Sequence, residues 1–241
     1  MVSSSAENGL LSPRRGETPK PLTIAIDGAA ASGKTTVGRL LARKLGLQFL
    51  DTGIMYRALA WEAIRQGIPL SDAPLLGQLA THHAFASVIQ TFASVTQEEE
   101  APSDDRAMYE ELYTPEVDAA ASQVAIWPEV REALVKQQQA MVAQGSMVIA
   151  GRDIGTVVAP NADLKVFLTA SSETRARRRG LQEGNTNPQS QVRADIEARD
   201  KRDTERSHSP LIPADDARQL DTEGIDPQQV VEKILSWLDD R

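Results

Sequence analysis

Cysteine is absent from the 241 residues, which excludes a disulfide framework and any thiolate metal site and fits a reducing compartment. Long apolar runs are missing as well. The best stretch, Val142 to Ala150, is broken by Gln144, Gly145 and Ser146, well short of the roughly 18 to 20 residues of a membrane span. Residues 1 to 20 hold no apolar run between a basic start and a small-residue cleavage site, so they do not read as a secretory signal and are expected to be a flexible tail. Histidine is limited to His82, His83 and His208, without metal-ligand spacing. Positive charge is in deficit: 26 Lys and Arg stand against 34 Asp and Glu, a net charge of −8. What remains is ordinary globular composition, 41% hydrophobic and 25% charged, long enough for one domain with insertions or two small ones.

Order begins where Leu22 to Ile26 forms a short β-branched run ended by Asp27-Gly28, the pattern of a buried strand. Val37, Leu40, Leu41 and Leu45 then recur at three- and four-residue spacing until Gly46, which predicts a helix over Lys34 to Leu45. A second strand, Leu47 to Leu50, leads through Asp51-Thr52-Gly53 into a helix ending near Gln66. Further strands are expected at Met147 to Ala150, Leu164 to Leu168 and, more weakly, Arg218 to Leu220. They alternate with helices at 128 to 143, 171 to 180, 188 to 206 and Pro227 to Asp239. This β-α alternation predicts an α/β fold, a parallel sheet covered by helices on both faces. Residues 84 to 113 interrupt it with a strand-like piece, Ala84 to Val95, and an acidic turn-forming run, which together predict an inserted, partly antiparallel lobe.

Chemistry enters at Gly28-Ala29-Ala30-Ala31-Ser32-Gly33-Lys34-Thr35, followed by Thr36. It is a Walker A pattern placed between a buried strand and a helix, as the motif requires. Such a loop turns successive amides toward phosphate oxygens at a helix N-terminus. Lys34 then reaches the outer phosphates, and the Thr35 hydroxyl faces Mg²⁺ held largely by ATP and water. A nucleoside triphosphate is therefore the first expected ligand.

A phosphate acceptor needs a second, cationic pocket, and residues for one are present. Thr52 and Arg57 follow the second strand, while Arg152 and Asp153 follow the strand Met147 to Ala150 directly. Carboxyl ends of strands are where open α/β sheets bind ligands. From Ser171 to Arg206 nine basic residues face seven acidic ones without an interleaved aromatic, which argues against nucleic acid as the partner. Asp195, Arg199, Arg202, Asp203 and Arg206 share one helical stripe, and the Gly- and Asn-bearing link Gln182 to Pro188 suits a lid closing arginines over a triphosphate.

Together the P-loop, Asp51-Thr52-Gly53-Ile54-Met55-Tyr56-Arg57, Ala121-Ser122-Gln123-Val124-Ala125, Gly151-Arg152-Asp153-Ile154-Gly155 and Arg199-Asp200-Lys201-Arg202-Asp203 with Arg206 resemble the bacterial cytidylate kinases. The resemblance runs from about residue 22 to the C-terminus. It implies the P-loop nucleoside-monophosphate-kinase fold, with a five-stranded parallel core sheet over 21–52, 115–172 and 206–241. It also implies an acceptor-binding lobe with a small antiparallel insert over about 53–114, and a short lid over about 173–205. The implied reaction is transfer of the γ-phosphoryl group of MgATP to CMP or dCMP. Carried over by position, Arg57 and Arg152 would hold the acceptor phosphate beside Thr52 and Tyr56. Ser122, Arg131, Asp153 and Arg206 would read cytosine, and Arg199 with Asp203 the ribose. Lys34, Arg175, Arg178 and Arg202 would neutralise the transferring group. The expected partners are small molecules alone, and the expected enzyme is cytoplasmic and monomeric. Two rivals remain open on the residues alone: a kinase for another acceptor such as UMP, AMP or a hydroxylated metabolite, and a slowly hydrolysing nucleotide switch.

Overall fold

A computed structural model describes residues 21–82, 110–182, 184 and 187–239. Five strands form one sheet: β1 (Thr23–Gly28), β2 (Gln48–Asp51), β3 (Met147–Gly151), β4 (Leu164–Thr169) and β5 (Arg218–Asp221). Their spatial order is β2-β3-β1-β4-β5 and every pairing is parallel, so the predicted α/β architecture holds. Each strand lies within a residue or two of its expected position.

Side-chain alternation along β1 divides the core. Ile24 and Ile26 join Val148, Val166 and Leu168 on one face. There they meet Val37 and Leu41 of helix α1 (Lys34–Leu45) and Val230, Val231 and Ile234 of the C-terminal helix Pro227–Asp239. Ala25 points the other way, with Leu50, Ile149, Ile154 and Val158, onto Val135 and Met141 of the helix Pro128–Val142. A third cluster is purely helical: α2 (Thr52–Arg65), α3 (Ala73–Thr81), α4 (Pro115–Val124) and α5 (Pro128–Val142) enclose Met55, Leu59, Leu76, Leu112, Val124, Val130 and Leu134. Helices α6 (Ser172–Gln182) and α7 (Gln189–Glu205) form a hairpin whose Ala176, Val192 and Ile196 close against Ala30.

Two helices and one turn were not anticipated. Helices α3 and α4 are short, and both start on a capping side chain followed by proline: Asp72 accepts from Leu75 N, and Thr114 from Val117 N. Ile154–Val158 forms a single π-helical turn directly after β3. Of the insert expected over 84 to 113, residues 84–109 lie outside the described ones, and 110–112 are helical.

The parallel registers align the carboxyl ends. Asp27 pairs with Gly151, Gly28 with Leu168, and Asp51 with Ala150. Every segment singled out above for phosphate chemistry leaves the sheet along this edge.

Candidate active site

Strand β1 runs into the loop at Gly28, where φ is +152° and a Cβ would lie 2.3 Å from Leu168 O. Ala31 and Gly33 adopt φ of 56° and 98°, winding the chain so that α1 starts at Lys34. No side chain caps that helix, and its first turn holds no acidic residue, which leaves the positive end of its dipole for an anion. Buried Lys34 folds across the loop, donating from Nζ to Ala29 O at 2.6 Å and to Ser32 Oγ at 3.4 Å. Burial, reinforced by Arg152, holds its ammonium well below the usual lysine range. Thr36 is exposed at the outer side of the first turn.

Asp51 connects the loop to the acceptor side. Its Oδ1 accepts from Gly53 N at 3.0 Å, capping α2, and its Oδ2 accepts from the Thr35 hydroxyl at 2.7 Å. Among the described residues no group of three or more His, Cys, Asp or Glu could hold a metal ion. A cation here would thus find hard oxygen at Thr35 and Asp51 and take its other ligands from phosphate and water, the usual arrangement for Mg²⁺. Asp27 accepts from Ile154 N at 2.8 Å and Gly155 N at 2.7 Å, pinning the π turn to the end of β1. Burial pushes its carboxyl up to about 6, with the two amides opposing.

Beyond the loop the structure brings the sequence-predicted acceptor residues into one buried chain of ion pairs. Asp153 pairs with Arg131, and its Oδ1 lies 3.8 Å from Arg206 Nη2. Arg206 in turn reaches Asp203 at 3.4 Å, and Asp203 accepts from Arg152 Nε at 3.0 Å. Arg131 Nε and Arg206 Nη2 are buried yet have no hydrogen-bond partner, an arrangement whose cost a bound acceptor would remove. Tyr56 lies beneath Arg131, 5.6 Å from guanidinium to ring, and burial pushes its phenol up to about 12. The Thr52 hydroxyl donates to Ala150 O at 3.0 Å, and Ser122 accepts from Arg202 Nε at 3.2 Å.

A second cluster centres on Asp118, which sequence reasoning missed. Its Oδ1 takes Arg57 and, at 2.7 Å, Arg199 Nη1, while Oδ2 lies 3.2 Å from Arg179 Nη2. Arg57 is further fixed by Leu112 O at 3.1 Å and by the Tyr113 ring at 4.7 Å. In the sequence Asp118 reads only as an acidic residue in a helix's first turn; nothing local links it to an arginine 61 positions away.

The arginines of the α6–α7 hairpin divide. Arg175 donates to Ala30 O at 3.2 Å and pairs with Asp200, whose Oδ1 accepts from Ala30 N at 3.1 Å. Arg178 donates to Thr222 Oγ1 at 2.9 Å and Thr222 O at 2.7 Å. These two are tied around the P-loop, whereas Arg202 is largely exposed beside Ser122. Of the predicted stripe on α7, Arg199, Arg202, Asp203 and Arg206 meet the site, while Asp195 is exposed and accepts from Gln191 Nε2 at 2.9 Å.

The whole edge, from loop to ion-pair chain, falls within residues 24–240, which match the family model for cytidylate kinase. The chain belongs to the cytidylate kinase family. A cytidylate kinase from Desulfitobacterium hafniense is 43% identical over 229 residues, covering 92% of this chain and 94% of the relative. One from Pelotomaculum thermopropionicum is 46% identical over 217 residues, covering 88% and 94%. The match to a bifunctional pantoate ligase/cytidylate kinase of a Synechococcus strain is 45% identical and covers 95% of this chain but 41% of that longer protein. An uncharacterized protein of known structure from Eubacterium ventriosum superposes with a TM-score of 0.51 at 14% identity, covering 92% of this chain and all of that one; that likeness concerns the fold alone. No helix among the described residues is long and apolar enough to cross a membrane.

Proposed function

We propose that this chain transfers the γ-phosphoryl group of MgATP to CMP or dCMP, giving ADP and CDP or dCDP. The observation that carries the reading is the buried chain Arg131–Asp153–Arg206–Asp203–Arg152, set across the sheet edge from an uncapped P-loop helix in a member of the cytidylate kinase family. Cytosine presents an N4 donor beside N3 and O2 acceptors. Asp153 supplies an acceptor for N4, and the unpartnered Arg131 Nε and Arg206 Nη2 supply donors for N3 or O2. Uracil would place a carbonyl against the Asp153 carboxylate and leave buried groups unpaired, which is the strongest kind of discrimination such a site can exert. Arg57 and Arg152 beside Thr52 suit the acceptor phosphate, and Asp203 with Arg199 suits ribose hydroxyls.

No side chain has to act as nucleophile. An acceptor phosphate oxygen, already anionic, forms a bond to the γ-phosphorus as the bond to the β,γ-bridging oxygen breaks and ADP leaves. The protein aligns the two nucleotides and surrounds the transferring group with positive charge. The P-loop amides from Gly28 to Thr35, with Thr36 beyond them, hold the donor, and Lys34 reaches its outer phosphates. Arg175 and Arg178 keep loop and lid in register, and Arg202 stands nearest the acceptor side. Thr35, its hydroxyl held by Asp51, would receive the Mg²⁺ that accompanies ATP, which would supply positive charge toward the phosphates. The lack of cysteine supports a cytoplasmic setting.

ADP formation from MgATP with CMP, dCMP, UMP, AMP or no acceptor tests this directly. Turnover confined to CMP and dCMP is the expected result. Equal turnover of UMP would overturn the role given to Asp153, and acceptor-independent hydrolysis would replace the kinase with a nucleotide switch.

A further inference from the structure

Asp118 pairs with three guanidinium groups from three separate helices: Arg57 of α2, Arg179 of α6 and Arg199 of α7. Arg57 and Arg199 are also the residues assigned above to acceptor phosphate and ribose. Three cations brought together in an empty pocket repel one another, and α6 and α7 belong to the lid, so without an anion the pocket would spread open. A helix-dipole role explains an acidic residue in the first turn of α4, but it does not call for three arginines converging on it from 61, 61 and 81 positions away on other elements.

Chemically, a carboxylate bound this way mimics two oxygens of a phosphate, which arginine forks recognise in the same manner. The carboxylate is reachable, with its side chain 20% exposed. Burial pushes the Asp118 carboxyl up, but Arg199, Arg57 and Arg179 outweigh it and hold the group well below the usual carboxylate range, so it remains an anion. Its single charge meets three guanidinium groups, so a more highly charged ligand can pair with them better. A phosphate monoester carries up to two negative charges and three oxygens, and so can replace it.

We propose that Asp118 is an internal occupant of the acceptor-phosphate subsite, holding Arg57, Arg179 and Arg199 together in the empty enzyme and giving way to the phosphate of the incoming nucleotide. The proposal rests on the reading of Arg57 and Arg199 given above. It makes Asp118 a positioning residue that lowers acceptor affinity in exchange for an assembled site. If the subsite is open about a tenth of the time, removing the occupant tightens phosphate binding about tenfold.

The test uses the full-length chain and its Asp118→Asn and Asp118→Ser variants, with thermal melts to check folding. Titration calorimetry measures CMP, inorganic phosphate and cytidine. The expected result is about tenfold tighter binding of CMP and of phosphate in both variants, with a much smaller shift for cytidine, which lacks the phosphate and shares only Arg199 with Asp118. Hydrogen exchange over residues 172–205 should also rise in the ligand-free variants as the lid loses its anchor. Weaker or unchanged CMP and phosphate binding would overturn the proposal, as would an equal shift for cytidine or unaltered lid exchange. Absence of CMP binding to the unmodified chain would instead remove the substrate assignment, and the phosphate titration would still decide for or against Asp118.

Discussion

Replacing Lys34 with methionine separates what this residue does for the reaction from what it does for the fold. The ammonium is buried, makes hydrogen bonds to Ala29 O and Ser32 Oγ, and is held well below the usual lysine range by burial and Arg152. Two terms oppose each other in Lys34→Met. The lost hydrogen bond to Ala29 O costs about 1 kcal/mol. Against it, a charge that the folded state disfavours is exchanged for an apolar chain of similar length. The sign follows from the shift: a lysine depressed in the folded state weakens folding while it is protonated, so its removal offsets the lost bond. Stability of the ligand-free variant should therefore stay within about 1 kcal/mol of the parent, a melting shift of about 2 to 4 °C. Turnover has no such offset, because a preorganised donor facing charge that develops in the transition state accounts for about 3 kcal/mol, or about 10²- to 10³-fold. Urea denaturation alongside steady-state ADP formation at saturating CMP provides both numbers. A variant within tenfold of parent turnover would refute the role of Lys34, and one destabilised by several kcal/mol would refute the account of its burial.

Asp153→Asn should raise KM for CMP about tenfold or more while leaving KM for ATP within about twofold; steady-state kinetics with each nucleotide varied decides, and equal effects would remove Asp153 from the base pocket. Asp27 titrates near 6 in the fold against 3.8 ordinarily, so the folded chain holds its proton longer. The stability this group contributes is fully present below about pH 4 and lost as pH rises through 6, about 3 kcal/mol in all. Denaturation midpoints of the ligand-free chain between pH 4 and 7 should show a loss that Asp27→Asn lacks, and parallel profiles would contradict it. Gly28→Ala places a Cβ 2.3 Å from Leu168 O at φ +152°; a cost of roughly 3 kcal/mol or more, and a melting point lower by about 10 °C, should follow. A melt matching the parent would mean that the strand end relaxes freely.

Strands and long helices were legible because their burial follows sequence periodicity: Ile24 and Ile26 alternate with Ala25, and Val230, Val231 and Ile234 form one stripe. The short helices α3 and α4 were missed although Asp72 and Thr114 each precede a proline, since nine or ten residues carry too little periodicity to outweigh the turn-like Pro and Asp around them. Residues singled out on a local motif, including Arg152, Asp153 and most of the α7 stripe, come together in ion pairs at the sheet edge. Asp118, Asp200 and Thr222 were not, because their importance lies in partners that only folding brings near: Arg57 for the first, the Ala30 amide for the second, the Ser32 carbonyl for the third. Asp195 is the converse case. It sits in register with the stripe but one turn too early to reach the pocket, so helical spacing alone overstated the site by a residue.

The seat of the α6–α7 hairpin bears on how it would part from the loop. Its apolar contact with the loop comprises four small or medium side chains, Ala30, Ala176, Val192 and Ile196, beside the hydrogen bonds of Arg175 and Asp200 to Ala30 and near the pairs Arg175–Asp200 and Arg179–Asp118. Little apolar surface is uncovered when so small a seat parts, so the accompanying heat-capacity change is slight. The charged flanks answer instead to dissolved ions, which weaken partly exposed pairs within a Debye length of about 8 Å at physiological ionic strength. If the hairpin serves as the proposed lid, its parting from the loop should therefore answer to salt through these flanking pairs.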